Sequence, residues 1–255
     1  MYTRDKSPKR DNSDLIFGTR AVIEAIRSGK EVNRILIQKG LQNELLSELK
    51  EEMKGMEIPV QLVPPEKLNY ITRKNHQGVI AFVSPVTYYR LENLLPQIFE
   101  EGKVPLLLML DRVTDVRNFG AICRSAECMG VDAVIIPSRG GATVTPDAVK
   151  TSAGALLRIS VCREENLKDS IEYASGSGLQ IVSCTEKTED TIENVDLTQP
   201  TLIIMGSEED GISGEYLKRS NHKVKIPMMG DIESLNVSVA TGIVLYEVVR
   251  QRMKG

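Results

Sequence analysis

Ile226-Pro227-Met228-Met229-Gly230-Asp231-Ile232-Glu233-Ser234-Leu235-Asn236-Val237-Ser238-Val239-Ala240-Thr241-Gly242 is the stretch on which the reading of this 255-residue chain turns. A short apolar strand ends at Pro227, a polar loop follows, and a helix opens on Ser234-Leu235-Asn236. Helix N-termini carry unpaired N–H groups that hold polar ligand atoms. Ser234 has the side chain of an N-cap. Asn236 is a mediocre helix former placed in the first turn. With Ser238 and Thr241 it keeps one side of the helix polar, while Val237, Val239, Ala240, Ile243, Val244, Tyr246 and Val248 make the rest apolar. Such a helix is expected to be buried against its own sheet and against a partner.

Two upstream loops share this layout. Asp111-Arg112-Val113-Thr114-Asp115-Val116-Arg117-Asn118-Phe119-Gly120 leaves an apolar run and enters a helix carrying Arg124. In open α/β sheets, ligands bind at that edge. As ordinary structure, Asn118 is a helix cap and Arg124 a solvated arginine paired with Glu127 three residues on. The second loop, Ile203-Ile204-Met205-Gly206-Ser207-Glu208-Glu209-Asp210-Gly211, runs from a strand through a glycine into three acids. A glycine there marks a sharp turn or a close backbone approach. Adjacent acids on one loop rarely converge on a metal without other ligands, so no metal is expected. The G-x-G-x-x-G and Walker A patterns are absent. Ile135-Ile136-Pro137-Ser138-Arg139 lacks the acid that a dinucleotide-binding dehydrogenase needs at the end of its second strand.

The rest of the chain supports a mostly parallel α/β fold in two blocks. In the front block, helices are expected at 15–29, 41–54 and 67–72, and strands at 34–38, 59–63 and 79–83. Residues 85–104 read as a connector containing a helix at 91–101. In the back block, strands at 106–110, 133–136, 179–184, 202–205 and 224–226 alternate with helices at 118–129, 147–155, 166–175 and 235–252. Alternation of this kind favours a parallel sheet covered on both faces. Net charge is −3, yet residues 1–90 hold 15 Lys and Arg against 11 Asp and Glu, a mildly basic front before an acidic back. No run of 18 apolar residues marks a membrane span. The polar residues 1–14 read as a disordered tail rather than a secretory signal. Four cysteines without C-x-x-C spacing fit free thiols and a cytoplasmic location.

The three loops, in order and spacing, resemble the three motifs of the SpoU/TrmH class of RNA ribose 2′-O-methyltransferases. Ile16-Phe17-Gly18-Thr19-Arg20-Ala21-Val22 and Asn75-His76-Gln77-Gly78-Val79 resemble that family's ribosomal-protein-like RNA-binding domain. The resemblance implies a substrate-binding domain at 15–84 and a trefoil-knotted methyltransferase domain at 105–255. It implies S-adenosylmethionine as cofactor and a homodimer. By motif position, Gly206, Ile226 and Leu235 would contact the cofactor. Asn118, Arg124, Glu208, Ser234 and Asn236 would form the reaction site, and Arg20, His76 and Gln77 would touch RNA. The two-domain layout is most similar to enzymes that methylate a guanosine ribose in 23S rRNA, so rRNA is favoured over tRNA. One departure is Glu209, where the family often has glycine. A non-catalytic RNA-binding protein is the competing reading, but it has no need of Asn118, Arg124 and Asn236 together.

Overall fold

The structure is a computed structural model that describes residues 14–232 and 234–254. The expected tail falls almost wholly outside those residues. The chain divides into two compact units, residues 1–85 and 86–255.

The first unit holds β1 (Leu15–Phe17), α1 (Thr19–Arg27), β2 (Val32–Gln38), α2 (Glu44–Glu52), β3 (Val60–Val63), α3 (Pro65–Ile71) and β4 (Val79–Val83). Its sheet runs β1-β4-β2-β3. β4 is antiparallel to β1 and β2, and β3 is parallel to β2. One face buries Ile35, Ile37, Val79 and Ala81 under Val22, Ile23 and Ile26 of α1 and Leu46 and Leu49 of α2. The other face buries Leu36, Val63 and Ile80 with Leu68 of α3, and leaves Phe17 and Phe82 half-buried. The expected helix from Leu15 is corrected at its start. Leu15–Phe17 is a strand, and Gly18, at φ 92°, makes the turn into α1. A side chain resists that backbone conformation, and three apolar residues are too few to show a period.

The second unit holds α4 (Leu91–Glu100), β5 (Leu106–Leu110), α5 (Val116–Cys128), β6 (Ala133–Pro137), α6 (Pro146–Thr151), β7 (Ser160–Glu164), α7 (Leu167–Gly176), β8 (Gln180–Cys184), β9 (Thr201–Met205), α8 (Gly214–Leu217), β10 (His222–Val224) and α9 (Val237–Arg252). Its six-stranded sheet runs β10-β8-β9-β5-β6-β7, and every pairing is parallel. Leu106, Leu108 and Leu110 face a layer containing α5 and α9. Leu107 and Met109 face α4 and α7. This covering explains why β5 is apolar at every position.

Two expectations change here. Residues 85–104 include α4, whose Leu91, Leu94, Leu95 and Ile98 are buried in the core of the second unit, so the stretch is part of that fold. β7 was not anticipated, because Ser160-Val161-Cys162-Arg163-Glu164 reads as mixed and polar. Its two charges are nevertheless buried. Glu164 accepts a hydrogen bond from the Leu91 backbone at 2.7 Å and lies 3.3 Å from Arg90, tying the start of α4 to the sheet edge.

Candidate active site

Parallel strands put all their C-terminal ends on one edge. β6 and β7 lie to one side of β5, and β9, β8 and β10 lie to the other. The loops after β5 and β9 therefore leave the sheet where its order reverses, the crevice position in doubly wound sheets.

Each of the three loops is shaped locally. Asp115, not Asn118, caps α5, its carboxylate accepting from the N–H groups of Arg117 and Asn118 at 2.8 Å. Asn236, not Ser234, caps α9 and accepts from Ser238 N at 3.0 Å, so the helix begins at Val237. These caps free the Asn118 side chain and fix that of Asn236. After β9 the chain folds back tightly. Ser207 and Gly211 exchange two backbone hydrogen bonds of 3.2 and 3.1 Å. A Cβ on Gly206 would lie 2.2 Å from the Gly211 carbonyl carbon and 2.4 Å from Ile212 N. This glycine is required by close approach of the chain to itself.

The loops meet at Glu208. Its Oε1 accepts from Asn236 Nδ2 at 2.6 Å and from Asn118 Nδ2 at 3.1 Å, while Val237 N lies 3.5 Å away. Asn236 Nδ2 also donates to Asn118 Oδ1 at 3.1 Å. Asn118 in the first turn of α5, Glu208 in the loop after β9 and Asn236 at the cap of α9 thus close a hydrogen-bonded triangle. Both Asn236 amide hydrogens are used within it, and one hydrogen of Asn118 remains over.

Arg112 braces the same loop from below. It donates to Asp111 at 3.0 and 3.1 Å, to Asp210 at 2.9 Å and to the Gly211 carbonyl at 3.2 Å. The hydrogen bond to buried Asp111 holds the Arg112 guanidinium above its ordinary pKa. Asp111 also accepts from Ser213 N at 2.7 Å. Arg112 sits at φ 57°, the left-handed region uncommon for non-glycine residues.

A cavity of about 540 Å³ opens beside the triangle, within the range that encloses a small ligand. Gly206, Glu208, Ile226, Ser234, Leu235 and Asn236 all line it. Its apolar wall includes Met205, Val224 and Val237, and its ionisable lining is Glu186, Glu208, Glu209 and Asp210 against Lys187 and Lys225. That excess of acid disfavours a polyphosphate and suits a nucleoside-sized ligand bearing positive charge. Cys184, also in the wall, has its thiol pushed up to about 12 by burial, so it is no nucleophile at neutral pH. Sequence reading missed the loop after β8 (Cys184, Thr185, Glu186, Lys187), although the rule that ligands bind at strand C-termini points to it.

Arg124 is not brought to this cavity. It is exposed on α5, and no ion pair with Glu127 forms. Arg117 stands seven residues before it, on the same side of the helix. In the first unit, Arg20 is paired with Glu48 at 3.0 Å. His76 Nδ1 accepts from Gly78 N at 3.0 Å, so its Nε2 carries the proton shared with Asn69 at 2.9 Å. Gln77 adopts φ 50°, with its amide beside Gly18.

Comparison with known proteins gives the family. Residues 105–246 match the SpoU rRNA Methylase family model, and residues 15–89 match RNA 2′-O ribose methyltransferase substrate binding. The chain belongs to the SpoU methylase family. It is an RNA methyltransferase, and the family's methyl donor is S-adenosylmethionine. The chain is 36% identical over 238 residues to a Staphylococcus aureus (strain MSSA476) protein described as a TrmH family tRNA/rRNA methyltransferase, covering 93% of this chain and 96% of that one. The SpoU methyltransferase AviRb from Streptomyces viridochromogenes, solved with the cofactor AdoMet, is 25% identical at TM-score 0.60, covering 98% and 96%. The AdoMet-bound rRNA methyltransferase from Sinorhizobium meliloti is 26% identical at TM-score 0.59, covering 94% and 89%.

Proposed function

We propose that this SpoU methylase transfers a methyl group to a ribose 2′-hydroxyl of structured RNA, with a guanosine of 23S rRNA as the substrate. The observation that carries the site assignment is the Glu208 junction, which draws three loops together at the rim of an acid-lined cavity. The rRNA choice is supported by the Sinorhizobium meliloti rRNA enzyme, whose likeness spans 94% of this chain. The curated relatives carry both tRNA and rRNA in their description, so a tRNA ribose is the second reading.

S-adenosylmethionine supplies a methyl group already activated on a sulfonium. Gly206, Ile226 and Leu235 hold the cofactor, and the acids around the cavity favour its positive charge. Glu208 Oε1, saturated by two amides, is a scaffold that fixes the loops. Asn236 positions, because both its amide hydrogens are spent inside the triangle. Asn118 keeps a donor for the substrate, and Ser234 offers a hydroxyl at the cavity wall. Alignment of this kind supplies a large part of the rate. Arg124 would stabilise negative charge growing on the 2′-oxygen, whose proton would leave to solvent.

That role requires a second copy of the chain. α5 and α9 pack side by side and present an outward strip of Arg117 and Arg124 beside Val239, Ile243 and Tyr246. Exposed apolar side chains repeating every three to four residues fit a helix that pairs. We infer a homodimer across this strip, a trefoil knot in residues 105–255, RNA binding by residues 15–84, and a cytoplasmic location.

Arg124→Ala tests the chemistry. Methyl transfer should fall by at least about a hundredfold while S-adenosylmethionine binding, followed by calorimetry, stays close to wild type. Near-normal turnover would overturn the role of Arg124. Mass mapping of 2′-O-methyl groups in cells lacking the gene tests the target, since loss from tRNA with intact rRNA would replace the rRNA assignment.

A further inference from the structure

The charge balance of the cavity beside the Glu208 triangle depends on which of its groups are already paired. Its carboxyl and amino side chains are Glu186, Glu208, Glu209, Asp210, Lys187 and Lys225. Two of them are answered by partners outside the lining. Asp210 lies 2.9 Å from Arg112, and Lys225 lies 2.9 Å from Glu189. Glu208 accepts only from neutral donors, the Asn118 and Asn236 amides and the backbone of Val237, so its formal charge stands. Glu186 and Glu209 are exposed and form no ion pair among the described residues. Three carboxylates are thus left against the Lys187 ammonium. The N-terminus of α9 adds about half a positive charge, and Glu208 Oε1, 3.5 Å from Val237 N, sits against it. The cavity is therefore net negative.

Two of the three acids come from neighbouring strands. Cys184 at the end of β8 pairs with Met205 at the end of β9, so the loops carrying Glu186 and Glu209 leave one sheet edge side by side. The methyl donor carries a sulfonium, an ammonium and a carboxylate, and is positive overall. Transfer breaks the bond between sulfur and the methyl carbon and leaves its electron pair on sulfur. The product, S-adenosylhomocysteine, is a thioether of nearly the same shape with no net charge. Contacts along the shared nucleoside and amino-acid parts hold both molecules alike, whereas a negative field acts on the sulfonium alone. Each exposed charge near the ligand is worth about 1.5-fold to fivefold in affinity.

We propose that Glu186 and Glu209 are specificity residues, whose charge shifts the preference of the cavity from S-adenosylhomocysteine toward S-adenosylmethionine, so that methyl transfer itself loosens the hold on the product. They act through the field across the cavity and need not touch the ligand. The inference rests on the RNA methyl-transfer reading above, and it gives a task to the loop after β8.

The test is calorimetry on the full-length protein with three ligands: S-adenosylmethionine, S-adenosylhomocysteine and sinefungin. In sinefungin an amine-bearing carbon replaces the methylated sulfur and restores the positive charge. In Glu186→Gln/Glu209→Gln, the Kd of the two charged ligands should rise about fivefold, while that of S-adenosylhomocysteine changes by less than about twofold. Lys187→Gln should act in the opposite sense and tighten the charged ligands alone. Raising salt from about 0.1 M to about 1 M cuts the Debye length from about 10 Å to about 3 Å. That change should weaken the charged ligands in wild type and have little effect in the double variant. Equal weakening of all three ligands in the double variant would make the two glutamates structural parts of their loops. An unchanged Kd for every ligand would remove them from selectivity. Either result overturns the inference and leaves the cofactor assignment standing. A wild type that binds none of the three would overturn the methyl-transfer reading instead.

Discussion

At the level of single residues, the acidic loop is held by a side chain from far away in sequence. Glu209-Asp210 departs from the glycine that the family often carries, and sequence alone gave that departure no purpose. In the fold, Asp210 is the partner of Arg112, 98 residues earlier, and a spacing of that size carries no local signal. The motif residues were easier to read, because Asn118, Glu208 and Asn236 each stand at the C-terminal end of a strand or the start of a helix. Their capping roles were misread, since Asp115 and Asn236 outcompete Asn118 and Ser234 for the helix ends. Arg112→Ala would cut the loop's ties to Asp210 and Gly211 and leave buried Asp111 a charged acceptor without its cation. Cofactor affinity should fall about tenfold, equal to about 1.4 kcal/mol, with the far-ultraviolet circular dichroism unchanged. An unaltered Kd by calorimetry would mean that the Ser207–Gly211 pair alone sets the loop.

At the level of elements, apolar period and turn chemistry carried most of the reading. β5, β6, β8 and β9 are short apolar runs bounded by turns, and each was expected within a residue or so. β1 and β7 were not, since one has three residues and the other ends in Arg163-Glu164. The end of α9 shows a further kind of information that period omits. Arg252, in its last turn, donates to the carbonyls of Leu197, Val104, Pro105 and Gln199 at 2.8–3.1 Å. Those carbonyls lie on the chain entering β5 and β9, so one guanidinium pins the helix end to the N-terminal edge of the sheet. Burial lowers its pKa, but an arginine remains charged throughout the physiological range. Arg252→Ala should destabilise the second unit by about 2–3 kcal/mol, and Arg252→Lys should recover only part of this, because one ammonium has three donors and no planar fork. Denaturant melts of the three proteins would show it. Equal midpoints would mean that α9 is held by Val244, Leu245 and Val248 alone.

At the level of the whole molecule, the two units divide the work in a way that can be separated by cutting the chain. Every residue lining the cavity lies between Cys184 and Ala240. Every member of the Glu208 triangle, and Arg112 below it, lies in residues 86–255. The second unit also has its own core on both faces of its sheet, and α4 completes one of them. A fragment must therefore begin before α4: one starting at residue 105 would expose the apolar surface that Leu91, Leu94, Leu95 and Ile98 cover. The fragment 86–255 should fold and bind S-adenosylmethionine within about threefold of the full chain, a difference under about 1 kcal/mol. It should transfer methyl groups to RNA much more slowly at low RNA concentration, through a raised KM, because the unit that matches the substrate-binding family model is gone. The fragment 105–255 should aggregate or bind poorly. Calorimetry on both fragments decides the first point, and RNA-concentration series on 86–255 decide the second. A folded 86–255 fragment that binds no cofactor would show that the site needs the first unit after all, and full RNA turnover by that fragment would remove the first unit from substrate capture.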